Sequence, residues 1–529
     1  MALRLREVSL GLEEEESLLP ARVGGELGVE PGSLGQFRVV RRGIDARRKP
    51  RLRQVYTVEF TAPDEEALLR RHKGNKRLER AVSPELPRAF PLGRDHRVLV
   101  VGMGPAGLFA ALRLAEYGLS VTLLERGRPV EARVRDVRRF WADGILDPAS
   151  NVQFGEGGAG TFSDGKLTTR LNHPWIRLVL QTLVGFGAPE EILVQAKPHV
   201  GTDRLRLVLI NFRKALLRKG VDLRFENRLS GLATDSGRVR GGLCDGGDAI
   251  PCDSLVLAPG HSARDTYRML QRSGVRLEPK PFAVGVRVEH PAALINRAQY
   301  GIPSHPRLPA AEYGLTFNDR ETGRGVYSFC MCPGGEVITA ASEADGLVVN
   351  GMSFRRRDGD YSNSALVVSV GPEDFPGADP LDGVHFQRRL EQAAFRAGGG
   401  DFRAPAQNML SFLGQGEGPV VSTCRPGVRE ASLEEVLPSF VTDGLRRALP
   451  VFGRRLRGFV TGEATLVGVE TRTSAPLRIL RGEDGQSVSH PGLFPAGEGA
   501  GYAGGIMSAA LDGLRAAEYV AEQVRRQES

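Results

Sequence analysis

The stretch that most limits what this chain can fold into is "VLVVGMGPAGLFAALRLAEYGLSVTLLERG", residues 98–127. Its opening run of Val and Leu predicts a strand buried on both faces. Glycines at G-x-G-x-x-G spacing follow, then a helical pattern, a second strand and an acid. Gly102 permits a tight turn, Gly104 lets the backbone approach a pyrophosphate, and Gly107 lets the helix pack closely on the strand. The first amides of that helix, reinforced by its dipole, would hold phosphate oxygens. Glu125, eighteen residues past Gly107, ends the second strand where a carboxylate can accept from both ribose hydroxyls. Pro105, Ala106 and Arg126 flank these positions and belong to the same expected set. A 2′-phosphate would meet the charge of Glu125, which argues against NADP and leaves FAD or NAD.

At 529 residues the chain is too long for one simple core, so two or three domains are expected. Its 66 glycines fall in clusters and not in a fixed repeat, which excludes collagen-like and low-complexity classes. The start, "MALRLREVSLGLEEEE", has no apolar h-region, so no leader peptide is expected. No uncharged apolar run approaches the roughly 18 residues of a membrane span. Five cysteines without a C-x-x-C argue for a reducing cytoplasm and against a zinc knuckle. The nine histidines form no H-E-x-x-H, so no metal is expected.

The net charge of +8 is partly local, since residues 38–53 hold eight basic residues and one acid, Asp45. A solvated hairpin with a basic tip is the simpler reading, because apolar alternation resumes at "QVYTVEF". Without interleaved aromatics, nucleic acid is not the expected partner.

Along the chain, residues 1–92 read as a small α/β module: a strand at Leu3–Leu10, a helix from Glu13, and strands near 36–42 and 54–61. The Pro-rich stretch 83–93 is the linker candidate. Strands and helices then alternate through residues 93–265. Residues 266–460 change texture to turns and strands such as "AVGVRVEH" and "GVYSFCMC", as an inserted mixed α+β domain would. The parallel-strand pattern returns within 461–529 and closes on a helix. The expected fold is a Rossmann-type α/β cofactor domain in two parts, carrying the insertion and the N-terminal module.

Near the end, "FPAGEGAGYAGGIMSAA" (494–510) is glycine or alanine at ten of seventeen positions. With "LAPGH" (257–261), it sits where glutathione-reductase-like flavoproteins carry their later FAD-contacting strands. "FGEGGAGTFSDGKLTTR" (154–170), "GHSARDTY" (260–267), "FCMCPGGEV" (329–337), "ETRTSAP" (470–476) and "GEGAGYAGGIMSAALDG" (497–513) resemble, more closely, the uncharacterised FAD-dependent dehydrogenases of bacteria. The resemblance spans nearly the whole chain and implies FAD. It implies that Gly497 and Glu498 bind the ribitol or pyrophosphate, and that the amides of Gly504, Gly505 and Ile506 face flavin N1 and O2. It places the loop of Gly158, Ala159, Gly160 and Lys166 against the cofactor, with Arg133 as a phosphate partner. Leu229, Ala258 and Gly260 complete the expected cofactor set. The loop is not a P-loop, because Lys166 is followed by Leu167.

For chemistry, Arg472, Thr473 and Ser474 precede the last cofactor strand. Arg472 could clamp a substrate carboxylate, or pair with Glu470 or another structural acid. Glu289 with His290 is a candidate acid/base pair. Cys330 and Cys332 alternate on a strand and share a face, but a C-x-C disulfide on an extended strand has poor geometry.

"GGLCDGG", "VVNGMS" and "FLGQGEGP" show no strand–glycine–helix pattern, so a second dinucleotide unit is not expected. The expected activity is hydride exchange between flavin and a small organic substrate. One alternative is an NAD(P)H-fed reductase or monooxygenase that the nicotinamide visits transiently. The other is a non-catalytic flavoprotein whose basic module binds RNA or another partner.

Overall fold

The structure, a computed structural model, describes residues 2–82, 88–93, 95–375 and 377–526. Residues 83–87 of the expected linker lie outside the described residues. A five-stranded parallel sheet organises the cofactor domain, in the order Leu493–Pro495, Ser254–Leu257, Arg97–Val101, Ser120–Leu124, Asp222–Arg224. Such a sheet must be covered on both faces, which is why its inner strands Ser254–Leu257, Arg97–Val101 and Ser120–Leu124 are apolar apart from their first residues and Thr122.

One face carries the helices Pro105–Glu116, Thr202–Arg218 and Ile506–Arg526. The first and last of these touch through small residues: a Cβ on Gly513 would lie 2.0 Å from the Ala106 carbonyl oxygen. The other face is covered by an antiparallel three-stranded sheet (Leu229–Asp235, Arg238–Cys244, Ala249–Pro251) and the helix Arg264–Arg272.

A second layer is built on a seven-stranded mixed sheet whose long central strands are Phe282–Pro291 and Tyr361–Val370. The strand Thr465–Glu470 pairs within this sheet, beside Gly285–Glu289. The insertion's sheet therefore runs past the expected boundary at 460, and the chain rejoins the cofactor sheet only at Leu493.

The N-terminal module is a four-stranded antiparallel sheet, ordered Gly35–Asp45, Arg53–Thr61, Leu3–Gly11, Leu78–Arg80, with its own apolar core. Its helix runs over Leu19–Leu27 and not from Glu13, because the glutamates at 13–16 offer no apolar face to bury. The module is docked through its edge strand: Arg42 exchanges backbone hydrogen bonds with Val194 (2.6 Å) and Ala196 (2.8 Å). Several cations of the 38–53 stretch are used internally. Arg38 pairs with Glu59, Arg42 with Glu16 and Arg47 with Asp45.

Candidate functional site: a dinucleotide cleft

A cleft opens at the carboxyl ends of the parallel strands, where ligands bind in open α/β sheets, and runs to the underside of the seven-stranded sheet. At its base, Gly102 takes φ 97° and packs so tightly that a Cβ would sit 2.2 Å from the Ala258 carbonyl oxygen. A Cβ on Gly107 would be 1.8 Å from the Gly102 oxygen, so this glycine lets the helix meet the strand. Gly104 differs: its missing Cβ points at open space, with only the Gly158 Cα as near as 4.0 Å. It also caps the helix, with Pro105 at the first position, so unpaired amides face the cleft.

Glu125 lines the cleft, but its carboxylate is already engaged by the protein. Oε2 accepts from the Met103 amide at 2.9 Å, and Oε1 from Gly127 (2.9 Å) and Gly155 (3.0 Å). A carboxylate has about four acceptor positions. One remains for a ribose hydroxyl, where the sequence had suggested two. Arg126 also lines the cleft, stacked 4.2 Å over Phe154 and tied to Asp265 and Thr266.

The loop Gly158–Ala159–Gly160 and Lys166 form one wall with Leu229, Ala258 and Gly260. The Lys166 Nζ is buried with no hydrogen-bond acceptor among the described residues, although the Asp164 carboxylate lies 3.4 Å away. Arg133 is not part of this wall. It is fully buried, and its guanidinium donates to the carbonyls of Asn151, Val152, Gly155 and Glu156 and to the Thr161 hydroxyl. Its donors shape the loop, so the expected phosphate contact is corrected to a structural one.

At the far end, Gly497 and Glu498 follow the last parallel strand, and the helix Ile506–Arg526 begins at the cleft. Burial pushes the Glu498 carboxyl up to about 8, with Lys280 opposing and Cys330 adding to the rise. Glu498 is therefore a hydrogen-bond donor at neutral pH, able to approach a pyrophosphate without charge repulsion. Cβ atoms on Gly504 and Gly505 would meet no protein atom within 4 Å. The Gly504 amide is taken, however, by the Ser508 hydroxyl at 3.1 Å. Of the three amides expected to face a flavin, those of Gly505 and Ile506 are the ones left.

The expected catalytic residues fare differently. Arg472 lines the cleft, yet it is bound two-on-two by Glu391 and donates to Ser262 (3.0 Å) and Ser342 (2.7 Å). It has too few free donors to clamp a carboxylate. The acid it pairs with is Glu391 and not Glu470. Thr473 staples Ala283 across the strands, donating to its carbonyl at 2.9 Å and accepting from its amide at 3.1 Å. Ser474 accepts from Lys280 at 3.3 Å and is not among the cleft residues.

Glu289 is wholly buried in the seven-stranded sheet, accepting from the hydroxyls of Ser422 and Thr423 and the Thr423 amide, away from the cleft. His290 is likewise interior, with Nε2 2.7 Å from the Phe459 oxygen. The acid/base role expected of Glu289 is thus corrected, because a pair sealed inside a sheet cannot reach a substrate.

Sequence reasoning missed three contributors. His261 lines the cleft, and burial, then the charges of Arg472 and Arg264, push it down to about 3, so it is a neutral imidazole. Tyr267 ties two glycine turns together, donating to Gly499 (2.8 Å) and Gly260 (3.3 Å). Asp512 accepts from the Gly497 amide at 2.7 Å and pairs with Arg481. "PGH" was the available signal for His261; helical periodicity hid the other two.

The cleft fits FAD. Two helix N-termini point into it, the bare glycines at 260, 504 and 505 leave ligand-sized space, and an unsatisfied ammonium waits on one wall. Family models agree. Residues 97–182 match the FAD binding domain, residues 281–473 match "FAD-dependent protein, C-terminal domain-like", and residues 3–61 match a domain of unknown function. The chain is a FAD-binding flavoprotein.

More particularly, it belongs to the family of an uncharacterized protein of Clostridium beijerinckii, with which it is 44% identical over 529 residues, 99% of each chain. Among solved structures it is similar to the flavin-dependent brominase Bmp2 (15% identity, 82% of this chain and 80% of that one, TM-score 0.38). It is also similar to glycine oxidase from Bacillus cereus (12% identity, 81% and 96%, TM-score 0.35). A third is the glycerol-3-phosphate dehydrogenase of Bacillus halodurans (12% identity, 82% and 65%, TM-score 0.35).

Proposed function

We propose that this flavoprotein is an oxidoreductase of the glutathione-reductase-like kind, exchanging hydride between FAD and a small organic substrate. The observation that carries this reading is the makeup of the cleft. Its lining joins Gly505 and Ile506 to Phe329, Cys330, Asn350 and Glu470, all from the second domain. A cofactor used only to brace the fold would not need its reactive end set against a separate polar wall. FAD supplies two-electron redox chemistry; the chain supplies orientation, water exclusion and proton handling. His261, held neutral, can accept a hydrogen bond from a substrate hydroxyl or amine, and Glu498, protonated, can donate one to the cofactor.

The three later glycine clusters support an organic substrate over a resident nicotinamide. "GGLCDGG" turns an antiparallel hairpin, "VVNGMS" holds the strand Val349–Met352, and "FLGQGEGP" ends the short helix Met409–Leu413. None is a strand–turn–helix unit. Among the described residues no helix is long and apolar enough to cross a membrane. The test is anaerobic mixing of the holoprotein with panels of hydroxy acids, amino acids and amines. Bleaching of the flavin bands by one class supports the reading, and bleaching by none contradicts it.

A further inference from the structure

We propose that Cys330 and Cys332 form a dithiol/disulfide pair that exchanges two electrons with the cofactor; this rests on the FAD reading above. In a regular strand, side chains at i and i+2 stand about 6–7 Å apart, too far for thiols to touch. This strand is not regular. Phe329 pairs with Ala365 and Cys332 with Asn363, so three steps on one strand oppose two on the other. Within this bulge Cys330 adopts the left-handed conformation, φ 45°, which costs a side chain of this kind about 1–2 kcal/mol. A thiol serving as small apolar filler has no use for that strain, which collects at functional sites.

The bulge folds the Cys332 side chain back onto the Cys330 backbone. Cys330 lines the same cleft as Glu498. Cys332 lies buried behind, with its thiol 3.5 Å from the Cys330 oxygen. Gly351 is bare there, since a Cβ would come within 2.7 Å of the Cys332 sulfur. Arg287, fully buried, donates to the Cys330 carbonyl at 2.7 Å and reaches the Cys332 sulfur at 3.9 Å.

The hydrogen bond from Cys332 brings the Cys330 thiol down to about 6; burial opposes this, and Arg287 assists. The same contact pushes the Cys332 thiol up. The more acidic thiol thus faces the cleft and the less acidic one lies behind it.

The step balances without an outside reagent. With reduced FAD, the Sγ–Sγ bond accepts two electrons and two protons and breaks, giving two thiols and oxidised FAD. In reverse, the two thiols lose two protons and two electrons to oxidised FAD as the bond forms.

The test is anaerobic dithionite titration of air-oxidised holoprotein, with the same protein denatured in N-ethylmaleimide for mass spectrometry. The proposal expects four electrons per FAD, two of them not seen in the flavin bands. It also expects the peptide carrying both cysteines to be unlabelled and lighter by two hydrogens. Cys330→Ser should take two electrons per FAD, whereas Cys244→Ser should still take four. Two electrons in the wild type, with both thiols labelled, would overturn the proposal whether or not Cys330→Ser folds. Absent flavin bands would instead defeat the FAD reading, so the two failures are distinct.

Discussion

Glu391 and Arg472 meet two-on-two, Nε to Oε1 at 3.0 Å and Nη2 to Oε2 at 2.8 Å, with the carboxylate wholly buried. Arg264 binds the same carboxylate from the other side at 2.8 and 2.9 Å, so one anion serves two guanidinium groups behind the cleft. Removing it strands buried cations, which typically costs about 3–5 kcal/mol. Glu391→Gln should lose that much in urea unfolding. An unchanged unfolding midpoint would return Arg472 to the substrate role that the sequence suggested.

Two glycines three residues apart should fail in different ways. Gly104→Val places its side chain in open cleft, so the protein should fold yet bind FAD at least about tenfold more weakly. Gly107→Ala puts a methyl 1.8 Å from a carbonyl oxygen, so it should destabilise the fold by about 1–3 kcal/mol. Flavin absorbance and urea melts on the purified variants separate the outcomes. Full FAD retention by Gly104→Val would displace the site.

Glu498 gives a pH signature. Burial raises its folded pKa from 4.5 to about 8, so between those values the folded apoprotein holds a proton the unfolded chain has released. This group's effect on stability therefore turns increasingly unfavourable as pH rises from about 4.5 to about 8, then levels off. Glu498→Gln should remove that part of the slope, as thermal melts of apoprotein across pH 4–9 would show. Parallel profiles for the two proteins would mean that Glu498 ionises normally.

The cofactor frame was legible in the sequence because backbone demands write themselves as glycine. Gly102 and Gly107 are dictated by contacts under 2.5 Å, and no other residue satisfies them. The catalytic wall was less legible because its logic is long-range. Whether Arg472 is free depends on Glu391, 81 positions away. Whether Glu289 reaches solvent depends on a hydroxyl pair at 422 and 423. The bulge at Cys330 was invisible because alternation predicts a regular strand, and the extra residue shows only in the register with Ala365 and Asn363.

On the proposed function, the cleft takes its electrons from an organic substrate. Stopped-flow mixing of the anaerobic holoprotein with NADH or NADPH alone tests it most directly. Because the later glycine clusters lie on a hairpin, a strand and a helix end, the flavin should be reduced slowly, with a rate that rises linearly with nicotinamide and does not saturate. Fast reduction that saturates at micromolar NADH or NADPH would contradict the account and make this an NAD(P)H-fed flavoprotein.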